Sequence, residues 1–335
     1  MSNVTGASVV DGKYVNVRGL QGRYVDVQLD NSTLPTPDPD GNSVPLDLFP
    51  SNLIDNIVTT KSFTPDEPAT FTGGSIDVTT KSFPEEFFLN ASFSTSFNSE
   101  VGIGGDILRP TGGLSAVPSA ADDENVPENI AQTFNDSEKQ QALSNLTRAF
   151  ATRMTPTQRE IVGNRGAEVA TGTQFRVFED WPVGVIASLS YDESFSGYDD
   201  GKTARFDQGG ASSETLGATA DYTTQRGVTE TLVGGLLGVS VQPAPQHEVS
   251  LRGIYNADEE QEARIETGLL PRDLSSGQRF QTRVSRPTER SVRSGELRGT
   301  HRFGGGQDGV RVQWRAMWSE VTRDEPDYRF FSNQF

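Results

Sequence analysis

Histidines, cysteines and closely spaced carboxylates are the residues that would carry chemistry here, and the chain offers few usable sets of them. Its two histidines, His247 and His301, fall on different predicted strand or turn positions, so no histidine cluster is expected to hold a metal. There is no cysteine, hence no thiolate nucleophile and no disulfide framework, and the redox compartment is left open. No G-x-S-x-G elbow and no G-x-x-x-x-G-K-[ST] phosphate loop occurs. Gly102-Ile103-Gly104-Gly105 lacks the strand-to-helix setting that gives glycine motifs meaning. Asp38-Pro39-Asp40-Gly41 lacks the ligand order of a calcium loop and reads as a solvated turn. With 46 acidic residues some chance pairs are expected, and no spacing singles out a glycosidase couple. The chain is therefore read as a non-enzyme with no cofactor and no metal site.

The elements that would position any site are strands. Only 33% of the 335 residues are apolar, and no run approaches the ~18 that a spanning helix needs. A transmembrane β-barrel escapes that test, because only alternate residues face lipid. The net charge of −17 argues against nucleic acid, whose phosphates demand a cationic surface.

Period-two alternation recurs along the C-terminal three quarters of the chain. Leu89, Ala91, Phe93, Thr95 and Phe97 alternate with Phe88, Asn90, Ser92, Ser94 and Ser96. Val183, Val185, Ala187, Leu189 and Tyr191 form a second apolar row. Val310, Val312, Trp314, Ala316 and Trp318 form another, opposite Arg311, Gln313 and Arg315, which predicts a wet second face. Trp314 and Trp318 suit interfacial aromatic girdles. Strand pairs are predicted at 175–178 with 183–191, 228–241 with 248–256, and 291–303 with 310–321. Short turns join the members of each pair, and long polar connections over 192–227 and 257–290 separate the pairs. Residues 99–172 read as an insertion with one helix at about Asp136–Ala151, capped by Asn135 and Glu138.

Before this region come shorter elements. Lys13–Leu20 and Tyr24–Asp30 are predicted to pair, and the second reads as half-buried, with Val25, Val27 and Leu29 on one face. Asn31–Pro45 is proline-rich loop. Pro50-Ser51 opens a helical turn. Ile57–Ser62 and Ser75–Ser82 are strands, separated by Phe71-Thr72-Gly73-Gly74, where backbone can take φ > 0 or let another segment approach closely.

This order of pieces resembles the C-terminal half of the plug domain of TonB-dependent outer-membrane receptors. The matching stretches are Val15-Asn16-Val17-Arg18-Gly19-Leu20, Phe49-Pro50-Ser51-Asn52-Leu53-Ile54, Ile57-Val58-Thr59-Thr60-Lys61 and Gly73-Gly74-Ser75-Ile76-Asp77-Val78-Thr79-Thr80-Lys81. The resemblance covers residues 4–98; beyond them only the strand pattern fits. It implies a fold of two parts: an α+β plug fragment over 1–84, then an antiparallel transmembrane barrel fragment over 85–335. The second part would hold about six or seven strands against the ~22 of a closed receptor. Met1-Ser2-Asn3-Val4 runs straight into plug-like sequence, so the resemblance implies a chain cut short at its front.

By the same resemblance Arg18, Gly19, Lys61, Gly73, Gly74 and Lys81 are plug-motif positions with structural or gating roles. Arg18 either joins a charge cluster that locks plug to barrel wall or sits on an edge strand in solvent. The implied function is energy-coupled uptake of a scarce nutrient (ferric siderophore, cobalamin or glycan) across the outer membrane of a Gram-negative bacterium. The implied partners are the TonB–ExbB–ExbD complex, outer-membrane lipid and a small-molecule or oligosaccharide ligand. Two other readings stay open: a passive outer-membrane structural or adhesion protein, marked by the lack of a plug inside the sheet, and a soluble carbohydrate-binding β module, marked by compact folding without detergent.

Overall fold

The computed structural model describes residues 7–10, 14–20, 24–34, 36, 54–64, 73–80, 86–97, 101, 104–110, 155–178, 180–208, 216–269, 278–304, 309–326 and 328–335. They are nearly all antiparallel β, with no α-helix among them. The expected helical turn at Pro50-Ser51 and the expected helix at Asp136–Ala151 lie outside the described residues. Ile54, placed by the resemblance at the end of that turn, already belongs to a strand.

The N-terminal strands are short: β1 (Ala7–Val10), β2 (Tyr14–Val17), β3 (Val25–Leu29), β4 (Ser32–Thr33), β5 (Ile54–Thr60) and β6 (Gly74–Thr80). The expected pairing of 13–20 with 24–30 does not form. β2 pairs with β1, while β3 lies between β4 and β6 in a four-stranded sheet of order β4-β3-β6-β5. β3 and β6 run parallel, Val27 opposite Ile76. Nor is β3 half-buried: all five of its residues are buried. Its polar face is tolerable there because Gln28 Nε2 donates to Asp26 Oδ2 at 3.2 Å and to Ser75 Oγ at 3.1 Å.

The remaining strands are β7 (Phe88–Ser96), β8 (Asp106–Arg109), β9 (Thr157–Glu160), β10 (Asn164–Val177), β11 (Trp181–Gln208), β12 (Leu216–Ala244), β13 (His247–Leu269), β14 (Phe280–Phe303), β15 (Val310–Asp324) and β16 (Arg329–Gln334). One large sheet has the order β15-β14-β13-β12-β11-β10-β7, with β16 also on β14. Because β16 meets β14 at residues 280–285 and β15 meets it at 289–303, β16 continues the line of β15 past a short interruption. Among the described residues the sheet therefore has seven staves and is not closed into a barrel: β7 and β15 are its two edges.

Expected strand bounds were too short. The stretches 192–227 and 257–290, expected as loops, are largely the outer halves of β11, β12, β13 and β14, paired residue by residue. β10 starts at Asn164, inside the expected insertion, and β8 and β9, also from that insertion, form a small two-stranded antiparallel sheet. This pair covers part of the large sheet over β11 and β12, where Ile107 and Ile161 cluster with Phe195.

The two faces of the large sheet differ. On one, Ile186, Leu236, Ile254 and Val292 join Val15, Val17, Val25, Val27, Ile76 and Val78 in a single buried cluster, so the small sheet packs here. Phe88 also packs against this cluster. The other face carries the rows expected from alternation. Leu189, Leu237, Leu251 and Trp318 on it are each more than half exposed, as are Leu89 and Phe93 on β7. Phe178, Trp181, Phe303 and Trp314 lie near the short turns of this outer face; Tyr191 and Tyr255 lie farther along the strands. From His247 to Tyr255 the strand advances roughly 27 Å, about 20 Å of height at the tilt of a membrane barrel.

Candidate functional site: the polar face between small sheet and wall

The wall face that meets the small sheet is apolar at its centre and charged around it. β13 and β14 put Arg252 and Glu296 in register opposite one another, and Asp258 opposite Arg290. Alternation sends these side chains toward the small sheet, since Ile254 and Val292 of the same parity lie in the shared core.

Asp30 is the small sheet's contribution. Its side chain is 2% exposed, and Arg252 Nη1 donates to its Oδ2 at 2.5 Å. Arg315 of β15 donates to the Asp30 carbonyl oxygen. Asp30 and Asn31 have φ of 51° and 60°, a left-handed pair that turns β3 sharply into β4. The turn lets the Asn31 N–H donate to Asp77 Oδ1 at 2.6 Å. Burial pushes the Asp77 carboxyl up from its ordinary value, opposed by this bond and by the Thr79 hydroxyl, with nearby Asp30 adding to the rise.

Beyond this contact lies a polar cleft of about 490 Å³ between β2 and the wall, lined by Tyr14, Ser196, Arg226, Val228, Glu230, Glu260 and Arg290. Arg290 donates to Asp258 at 2.6 Å and to Glu260 at 3.3 Å, and Arg226 donates to Glu262 at 2.9 Å. The cleft thus presents guanidinium groups already held in place by carboxylates. Such a surface can hydrogen-bond a polar solute with both donors and acceptors but supplies no activated nucleophile. Next to it, Ser190 Oγ, both side-chain polar atoms of Asn256 and Asp258 Oδ1 are buried with no hydrogen-bond partner among the described residues.

The motif positions fall elsewhere. Arg18 and Gly19 form an exposed turn, with φ of 54° and 75°, after β2. Lys61 is half-buried just past β5, and Lys81 lies outside the described residues. Gly73 and Gly74 are buried. A Cβ on Gly73 would sit 2.8 Å from the Tyr24 carbonyl oxygen, and one on Gly74 would sit 2.8 Å from Val17 Cγ1. Of the two alternatives for this glycine pair, close approach is what the structure shows.

Asp30, Arg252, Glu296, Asp258 and Arg290 were not singled out in the sequence. The Asp30-Asn31 dipeptide, suited to left-handed backbone, was the available signal for the turn. His247 and His301 do come together, contrary to the expectation of separate sites. They face each other across β13 and β14 with Nδ1 atoms 3.1 Å apart, and Trp314 Nε1 donates to His301 Nε2 at 2.9 Å. Two adjacent strands in register achieve this from positions 54 residues apart. Among the described residues no group of three or more potential metal ligands occurs.

No protein-family model matches the chain, and no curated protein sequence matches it. Among solved structures it is similar to the copper transporter OprC, with a TM-score of 0.24 and 9% identity over 98% of this chain and 58% of that one. It is also similar to the pyoverdine outer membrane receptor FpvA from Pseudomonas aeruginosa PAO1 bound to pyoverdine. There the TM-score is 0.25 and the identity 11%, over 98% of this chain and 56% of the receptor. The chain spans less than two thirds of each of these proteins, and likenesses of this size assign neither fold nor family.

Proposed function

We propose that the seven staves are an arc of an outer-membrane barrel and that the small sheet is its plug, the two working as a TonB-dependent receptor for uptake of a scarce solute. One observation carries this reading. The face away from the small sheet is apolar and exposed over a band about 20 Å tall, near the ~25 Å apolar band of a membrane barrel, with aromatics toward both ends, while the opposite face is charged around the core it shares with the small sheet. A sheet exposing so many large apolar side chains to water would aggregate; in lipid the same rows are satisfied.

The plug role rests on the shared core and the Asp30–Arg252 pair. Pulling the small sheet away would expose Ile186, Leu236, Ile254 and Val292, at on the order of 1.5–3 kcal/mol each. Thermal motion alone then opens the lumen rarely, and external work, here assigned to the TonB–ExbB–ExbD complex, becomes necessary. The solute class is a ferric siderophore, cobalamin or glycan, met by the polar cleft above the plug. No catalytic step is assigned.

Membrane fractionation of cells that make the protein, followed by uptake assays with labelled ferric siderophore, cobalamin and oligosaccharide, tests the proposal. The expected result is an outer-membrane band released only by detergent, with uptake of one solute lost when the gene or the TonB complex is removed. A band in the aqueous fraction would exclude a lipid-embedded barrel. A membrane band with uptake indifferent to TonB would favour the passive adhesion protein.

A further inference from the structure

The outer face of the large sheet is not uniformly filled. Between Leu189 and Leu237 on one side and Tyr255 and Trp318 on the other runs an apolar trough of about 480 Å³. Its floor is low because Gly235 and Gly253 have no side chains to fill it. Cross-strand register sets Gly253 opposite Leu237 on β12 and opposite Gly295 on β14, and Gly295 opposite Trp318. These glycines are not required by crowding: a Cβ on Gly253 or Gly295 would have no neighbour nearer than 4.0 Å. Their effect is an open furrow in a face otherwise covered by Leu, Val and Trp.

One end of the furrow is closed by a cation. Arg293 lines the trough beside Tyr255, its guanidinium carbon 5.6 Å from the ring centroid. Register places Arg293 in one row with Tyr255 and with Glu320 of β15, at the end of the apolar rows nearer the polar outer halves of the strands. Arg293 and Glu320 face each other across β14 and β15, and no ion pair joins them among the described residues. A cation over an aromatic ring, at the mouth of a greasy groove, on the boundary of a lipid-facing band and between that groove and a cleft lined by Glu259, Glu289 and Asp324, meets the two needs of an amphiphile at once.

We propose that the trough binds an anionic, phosphate-bearing lipid, with one acyl chain lying over Gly235 and Gly253 and the phosphate on Arg293. The proposal rests on the lipid-facing reading of the outer face. The acyl chain restores the contacts that the glycines leave unmade, and the guanidinium offers paired N–H donors to phosphate oxygens. The chain's net charge of −17 would otherwise repel anionic lipid, so attraction has to be local.

Trp318 is a built-in reporter. In the full chain carrying Trp181→Phe and Trp314→Phe, it is the only tryptophan left. The protein is inserted into vesicles of phosphatidylcholine and phosphatidylglycerol in which one lipid or the other has brominated acyl chains, and quenching of Trp318 is compared. Brominated phosphatidylglycerol is expected to be enriched at Trp318 by about fivefold over brominated phosphatidylcholine at equal mole fraction. Arg293→Gln should abolish the preference, Gly253→Leu should lower quenching by both lipids, and Glu320→Gln should strengthen the preference. Equal quenching by the two lipids, or an undiminished preference in Arg293→Gln, overturns the lipid site and leaves the barrel reading standing. No quenching by either lipid overturns both.

Discussion

Asp30 and Arg252 are 222 residues apart in sequence, yet their side chains meet at 2.5 Å where the small sheet touches the wall. Both are largely removed from water, with 2% and 11% of their side-chain surface exposed. Removing one member leaves the other's charge less compensated in a poorly solvated site. Asp30→Asn and Arg252→Met are each expected to destabilise docking of the small sheet by about 3–5 kcal/mol, and the double change by distinctly less. Hydrogen exchange at residues 24–34 is the readout; single variants as protected as the parent would show that the pair does not hold the small sheet.

Asn256 gives the opposite expectation. It is fully buried, with no hydrogen-bond partner for either side-chain polar atom among the described residues, in the row that includes Val292. Asn256→Leu should stabilise the packed state by about 1–2 kcal/mol, since the desolvation cost disappears and apolar contact is gained. Denaturant midpoints of the two proteins decide it, and a lower midpoint for the variant would show that Asn256 has a partner in solution.

Asp77 links the small sheet to pH. Its folded-state pKa is raised, chiefly by burial, so the folded protein holds this proton more tightly than the unfolded chain does. The resulting stabilisation is complete below the unfolded value and is lost as pH rises through the folded one. Asp77→Asn should therefore raise the melting temperature at neutral pH and change little in acid. A gain of the same size at both pH values would assign the effect to something other than ionisation.

The glycine pair before β6 is tested by size alone. Gly73→Ala sets a methyl group 2.7 Å from Leu20 Cδ1 and 2.8 Å from a backbone oxygen, and the oxygen cannot swing aside. A cost of about 1–3 kcal/mol is expected. Gly217→Ala, where the nearest atom would be 3.9 Å away, serves as the tolerant control. Equal melting temperatures for the two variants would refute the close approach.

Leu237 stands in the middle of the exposed apolar rows, facing away from the small sheet. Leu237→Arg should cost about 2–4 kcal/mol in lipid vesicles, whereas Glu259→Arg on the polar outer half of β13 should cost about 0–1 kcal/mol. Urea titration of vesicle-inserted protein separates them. If the two replacements cost the same, this face does not meet hydrocarbon.

What was legible in the sequence follows from what alternation encodes. The rows Val183 to Tyr191 and Val310 to Trp318 stood out because apolar and polar residues take turns, and the structure keeps each row on one face. Farther along the same strands both faces are polar. Tyr198, Lys202 and Asp207 carry no apolar period, so β-structure was invisible there although pairing continues to Gln208. Pairings across long separations were hidden too. Nothing local to Val25–Leu29 announces a parallel partner at Gly74, and nothing in Arg252 announces Asp30. Gly73-Gly74 was recognisable as a place of unusual backbone, but its neighbours come from the fold.

The length of the strands has one more consequence. At about 3.3 Å per residue, the 29 residues of β12 extend roughly 90 Å along their own line, several times what a bilayer core accommodates. On the barrel reading proposed above, more than half of this strand would stand in water as a collar, covered in part by β8 and β9. That collar is braced by Arg226 with Glu262 and Arg286 with Glu325, together with Lys202 and Asp221. Salt weakens such bracing and leaves the apolar section untouched, so on the proposed receptor reading ionic strength would become a dial on the stiffness of the rim that a solute meets first.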